Sequence, residues 1–131
     1  KTYLNLIEKI NDIAGIRIVC TLKDDIFFIR DLVKQIPDIH VLKEKDYVTN
    51  PKESGYSSYH MIVEVPVKLT QKTIYVKCEI QIRTLAMDFW ASFEHKVKYK
   101  TKNDVNPKMS KELVSCAKMI NKFDTKMINY K

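Results

Sequence analysis

Two carboxylates stand where a sheet would ordinarily carry Val or Thr. Asp12 opens the apolar run IAGIRIVC, and Glu79 sits inside the alternating segment TIYVKCEIQIRT. An unpaired acid in such a setting costs free energy, so a cation is expected between them, either Lys/Arg or a metal ion. A second group of chemically useful residues lies in KEKDYVTNPKESGYSSYH, which gathers Lys43, Lys45, Lys52, Tyr56 and His60 within 18 residues. Lysines supply charge for phosphate, a Tyr held in a Pro/Gly-ordered loop can stack on a purine, and His60 can donate a hydrogen bond to phosphate or ribose. An ordinary polar loop with a half-buried Tyr has the same composition. What points beyond that is position, because this loop leads straight into the strand pair that carries Glu79.

The elements that must hold these groups follow from hydrophobic periodicity. Leu4, Ile7 and Ile10 predict a helix over residues 2–10, and the unbroken apolar run over residues 13–22 predicts a central strand buried on both faces. DDIFFIRDLVKQI reads as an amphipathic helix with Ile26, Ile29, Leu32, Val33 and Ile36 on one face, stopped by Pro37. Residues 39–48 read as a strand and TNPKESG as a loop. SSYHMIVEVPV and TIYVKCEIQIRT, separated by KLTQK, read as an antiparallel pair. Strand parity sets Ile74, Val76, Cys78, Ile80 and Ile82 toward the core and Tyr75, Lys77, Glu79, Gln81 and Arg83 on the opposite face. That polar face is either a solvated sheet surface or the floor of a site.

Beyond Thr84 the period becomes helical. Leu85, Phe89, Trp90, Phe93 and Val97 form a stripe expected to pack in the core rather than to stack bases. A last helix is expected from about Ser110 as N-cap, with Asn106 and Pro107 in the preceding turn. His95 is expected to line a helix face, and Lys96, Lys98 and Lys100 to face solvent. The expected fold class is α/β (α+β), a mixed β-sheet flanked by helices.

Composition narrows the function. The 131 residues and 45% hydrophobic content suit one domain, and the formal charge of +7 favours a polyanionic partner such as nucleotide, nucleic acid or a phosphorylated surface. With only two glycines, Gly15 and Gly55, a P-loop or dinucleotide fingerprint is excluded. Cys20, Cys78 and Cys116 are odd in number and widely spaced, which indicates neither a disulfide framework nor a zinc knuckle and fits a reducing cytoplasm. No membrane span or signal peptide is expected. The chain opens without Met and in helical character, so it is expected to belong to a longer protein.

NDIAGIRIVC, KDYVTNPKESGYSSYH and CEIQIRTLAMDFWASFEHKVKYK stand in the order and spacing of the synthetase domain of the RelA/SpoT family. The resemblance runs from about residue 10 to about residue 100 and is greatest to the small alarmone synthetases. It implies a nucleotidyltransferase-like fold and a GTP pyrophosphokinase of the stringent response: Mg²⁺-dependent transfer of pyrophosphate from ATP to the 3′ hydroxyl of GDP or GTP, giving (p)ppGpp. It further implies that Asp12 and Glu79 bind the magnesium, that Glu79 helps deprotonate the 3′ hydroxyl, and that Arg17 stacks on adenine, a role suited to a planar guanidinium. Tyr56 would stack on guanine, and Lys45, Lys52, His60 and Gln81 would line the acceptor nucleotide. Mg²⁺ prefers one or two carboxylates plus phosphate oxygens, which agrees with this assignment.

Two positions depart from the family pattern. Ser54 precedes Gly55-Tyr56 where the family commonly has Asn, and Ser57 stands where Arg or Gln is usual. Ser54 keeps a hydroxyl but reaches less far, so weaker guanine or phosphate contacts are expected. The basic ATP-phosphate motif of the family should precede Lys1, so residues 1–131 alone are expected to bind guanine nucleotide but turn over poorly. The resemblance also implies a homo-oligomer, commonly a tetramer. Two other functions remain open: pyrophosphate transfer to a tRNA 3′ end, and a non-catalytic guanine-nucleotide or RNA-binding module. Alarmone hydrolysis is disfavoured, because that activity uses a His-Asp dyad and none of His40, His60 or His95 is followed by Asp.

Overall fold

The segment Thr73–Thr84 forms a 12-residue strand that organises the molecule. Its alternation gives one face to Cys78, Ile80 and Ile82, all buried, and the other to Glu79, Gln81 and Arg83. The computed structural model describes residues 14–131, so the helix expected over residues 2–10, and Asp12, lie outside the described residues. In chain order the elements are β1 (Ala14–Cys20), α1 (Asp25–Lys34), β2 (His40–Asp46), β3 (Tyr59–Lys68), β4 (Thr73–Thr84), α2 (Leu85–Lys100) and α3 (Pro107–Ile128).

The strands form one mixed sheet in the order β1-β4-β3-β2. β1 runs parallel to β4, and the β4-β3 and β3-β2 pairs are antiparallel. This is the mixed sheet with flanking helices that the sequence predicts. Ile26 and Val33 of α1 cover the apolar face, joining Tyr59, Met61 and Val63 of β3, the three buried β4 residues and Met87 of α2 in one core cluster.

Three sequence expectations need correction. β1 is not central and is not buried on both faces: among the described residues it is an outer strand, with Ile16 52% and Val19 38% exposed. An unbroken apolar run reports parallel pairing, which β1 does make, but cannot report whether a further layer covers it. The aromatic stripe of α2 is not core either, since Trp90 is buried while Leu85, Phe89 and Phe93 are exposed. The helix packs along one narrow side, where Trp90 donates its indole N–H to the Leu113 carbonyl of α3 at 2.8 Å. Finally, α3 starts at Pro107, not near Ser110. Asn106 is its N-cap, accepting from the Met109 amide at 2.8 Å, and Pro107 occupies the first turn, where a missing N–H costs nothing.

One irregularity has consequences for the site. The β2-β3 register shifts between Val41 and Lys43, leaving Leu42 without a ladder partner. Val41 lies opposite Val63 on the core side, yet Lys43 and Lys45 lie opposite Ile62 and His60 on the polar side. Such a bulge reverses strand parity, and here it turns two lysines onto the same face as Glu79. The three cysteines are free, and none of the described helices is long and apolar enough to cross a membrane.

Candidate functional site

Register places the predicted residues in rows across the polar face. Lys45 of β2 pairs with His60 of β3, His60 with Gln81 of β4, and Gln81 with Arg17 of β1. With strands about 4.8 Å apart, this row crosses roughly 14 Å of sheet. The adjacent row is Lys43, Ile62, Glu79 and Gly15. A Cβ added at Gly15 would meet nothing within 4 Å among the described residues, which leave the space beside the Glu79 carboxylate open. Lys43, Lys45, Tyr47, Lys52, His60 and Glu79 line a cleft of about 320 Å³.

Tyr56 reaches this face from the loop between β2 and β3. That loop is tied by Tyr47 N–H to the Ser58 carbonyl at 3.0 Å, Gly55 N–H to the Lys52 carbonyl at 2.9 Å and Lys52 N–H to the Tyr56 carbonyl at 3.0 Å. The Ser54 hydroxyl accepts from the Tyr56 amide at 3.4 Å, so Ser54 shapes the turn while its side chain stays exposed. Gly55 has a φ of 100°, which only glycine adopts freely, and its Cα packs against Ala117 and Trp90. The loop that carries Tyr56 therefore rests directly on α2 and α3.

A hydrogen-bond chain sets the protons in the site. Arg83 Nη2 donates to Tyr56 Oη at 2.8 Å, and Tyr56 Oη lies 2.9 Å from His60 Nε2. An arginine can only donate, so the phenol oxygen accepts from Arg83 and shares a hydrogen bond with His60 Nε2, while His60 Nδ1 lies 3.7 Å from Glu79 Oε2. Burial holds His60 below the ordinary imidazole value despite the opposing pull of Glu79, which keeps it neutral at pH 7. Burial pushes the Tyr56 phenol up, with Arg83 acting against it. Gln81 Nε2 donates to Glu79 Oε1 at 3.1 Å, and Gln81 Oε1 accepts from Arg83, so the amide is locked in one orientation. The Lys52 ammonium sits 4.8 Å above the Tyr47 ring and 5.3 Å above the Tyr56 ring, a cation–π seat that holds it at the cleft.

The structure thus brings together Arg17, Lys45, Lys52, Tyr56, His60, Glu79 and Gln81 on or beside one face. His95 is exposed and lies outside this arrangement. Lys98 pairs with Glu94 at 3.3 Å. Sequence reasoning missed Tyr47, which backs Lys52, and Asp88, the counter-ion of Arg17 and Arg83 at 3.3 and 3.5 Å. It placed Arg83 on the polar face but gave it no role. The available signal was its shared parity with Glu79 and Gln81.

A divalent ion fits the donor set in part. Glu79 offers a half-exposed carboxylate into an open cleft rimmed by lysines, which suits Mg²⁺ completed by phosphate oxygens and water. Among the described residues no group of three or more His, Cys, Asp or Glu gathers, which is not the pattern of an all-protein cage.

The family model described as a region found in RelA / SpoT proteins matches residues 1–104. The chain is 49% identical over 124 residues to GTP pyrophosphokinase YwaC of Bacillus subtilis, covering 95% of this chain and 59% of that protein. It is 39% identical over 124 residues to GTP pyrophosphokinase YjbM of the same organism, again covering 95% and 59%. The chain therefore spans about three-fifths of the length of these curated relatives. Among solved structures, small alarmone synthetase 2 from B. subtilis superposes with a TM-score of 0.89 at 46% identity, covering 98% of this chain and 74% of that one. Small alarmone synthetase 1 from B. subtilis, bound to its product pppGpp, gives 0.86 at 38% identity, covering 97% and 66%.

Proposed function

The chain belongs to the RelA/SpoT family, and on that premise we propose that the protein it represents is a (p)ppGpp synthetase. It would transfer pyrophosphate from ATP to the 3′ hydroxyl of GDP or GTP. The observation that carries this reading is the cross-strand row Lys45-His60-Gln81-Arg17 beside Glu79, with Tyr56 seated over one end. It supplies cations for phosphates, a carboxylate and two planar groups for two bases on a single face. The relative bound to pppGpp supports the same substrate class.

On this reading Tyr56 stacks on guanine, and Lys45 and Lys52 hold the 5′ phosphates. Arg17 lies at the opposite end of the row, where it would stack on adenine. Glu79 lies between the two ends and takes the proton from the 3′ hydroxyl as that oxygen attacks the β-phosphorus of ATP and AMP departs. Glu79 and Asp12, the latter outside the described residues, would hold Mg²⁺, which when bound neutralises charge on the transferred group. Gln81 orients the Glu79 carboxylate through its 3.1 Å hydrogen bond, and the His60 ring lies beside it. Exposed Phe28, Leu32, Phe89 and Phe93 support assembly into a homo-oligomer, which light scattering would test.

Glu79→Gln keeps the shape of the site and removes the base. Pyrophosphate transfer should fall by orders of magnitude while GDP binding stays largely intact. Retained turnover in that variant would overturn the proposal.

A further inference from the structure

Arg83 is 4% exposed, and its charge is incompletely satisfied. Nη2 is engaged by Tyr56 and Gln81, Nη1 reaches Asp88 Oδ1 only at 3.5 Å, and Nε has no partner among the described residues. The same Asp88 oxygen receives Arg17 Nη1 at 3.3 Å, from a side chain that is 57% exposed. One carboxylate oxygen thus serves two guanidiniums, each farther away than the roughly 2.7–2.9 Å of a good charge-assisted bond. The three charges sum to +1, and the cation with more to gain is the buried one, since an incompletely paired buried charge is costly. Asp88 is shared with Arg17 instead of closing on it.

We propose that Arg83 is a positioning residue for the acceptor site, and that Asp88 ties its grip to occupancy of the donor site. A ligand that takes Arg17 releases Asp88 to Arg83. The guanidinium is then better anchored, and so are the Tyr56 hydroxyl it holds and the His60 ring beyond. This rests on the reading above, in which the donor nucleotide takes Arg17 and guanine takes Tyr56. The coupling is carried by one side chain of the first turn of α2 and requires no movement of the sheet.

The test is the GDP dissociation constant of the full-length protein by calorimetry, with and without a nonhydrolysable ATP analogue plus Mg²⁺ at a concentration that the analogue's own titration shows to be saturating. In the wild-type protein the analogue should tighten GDP at least about fivefold, the low end of ordinary coupling between sites. Asp88→Asn, which keeps the shape and removes the charge, should bring that ratio close to one. Arg17→Gln, at an exposed position, should tighten GDP even without the analogue, because Asp88 is then free; a merely structural role predicts no such gain. An unchanged ratio in Asp88→Asn, no ratio in the wild type, or no gain in Arg17→Gln overturns the inference while the proposed function stands. Failure of the wild type to bind GDP at all overturns both.

Discussion

Replacing Gly55 with alanine tests whether the loop that carries Tyr56 owes its position to close packing on the helices. A Cβ at Gly55 would lie 2.7 Å from the Ala117 Cβ and 3.1 Å from Trp90 Cζ2, and the backbone φ is 100°. The left-handed backbone costs a Cβ-bearing residue about 1–2 kcal/mol, and overpacking adds about 1–3 kcal/mol, so the loss should be about 2–5 kcal/mol. Urea unfolding would read this as a lower midpoint at unchanged slope. Ala117→Gly in the same background removes the nearest clash but not the backbone penalty, at its own helix cost of about 1 kcal/mol, so the two substitutions should couple favourably in a double-mutant cycle. Because Tyr56 follows directly, GDP affinity should fall in Gly55→Ala and partly return in the double variant. A loss below about 0.5 kcal/mol with no coupling would refute the reasoning, since such values belong to unconstrained surface sites.

Trp90→Phe should cost about 1–3 kcal/mol, through the lost bond to the Leu113 carbonyl and the space left in a buried site, measured by the same unfolding curves; an unchanged midpoint would count against it. Acid stability should depend on β2. Burial raises Glu44 and Asp46, but hydrogen bonds from Tyr59 and Lys34 to Glu44, and from the Thr49 hydroxyl and the Thr49 and Val48 amides to Asp46, outweigh it and leave both carboxyls below their ordinary values. Folded values below the unfolded ones mean that this stability is present above about pH 4.5 and lost as the pH falls through the depressed values. Glu44→Gln with Asp46→Asn should flatten that acid limb of a stability-against-pH curve, and an equally steep limb would refute the assignment. Asp124 acts in the opposite sense. Burial raises its carboxyl although Thr84 donates to it, so it penalises the fold once ionised and eases as the pH drops toward 3.8.

Residue chemistry and period went a long way toward this molecule where a face is decided locally. β4 parity alone separated Cys78, Ile80 and Ile82 from Glu79, Gln81 and Arg83, and the structure agrees residue by residue. What depends on neighbours was not legible. Period cannot tell whether Ile16 and Val19 have a layer above them, nor that α2 would bury Trp90 and leave Phe89 and Phe93 out. The bulge at Leu42 carries no composition signal, yet without it parity puts Lys43 and Lys45 on the wrong side. Asp124 is 2% exposed, and no local pattern marks it as buried, because its partner Thr84 comes from a strand end far away in sequence. Asp12, one of the two acids from which the chemistry starts, lies outside the described residues.

The mixed sheet also dictates an order of events as the chain folds. β3 and β4 are joined by a short turn closed by Leu69 N–H to the Lys72 carbonyl, so this hairpin closes a small loop. β1 meets β4 in parallel, and bringing Gly15 beside Glu79 must first close a loop containing all the elements between them. Closure entropy rises with loop length, and long-range parallel pairing is slow to nucleate. The β3-β4 part of the site, with His60, Glu79 and Gln81, is therefore expected to assemble early and Arg17 of β1 last. In a pulse-labelled refolding experiment, amide protection should appear in β3 and β4 before β1. A chain whose β1 pairing is weakened should keep the β3-β4 side of the site longer than the Arg17 side.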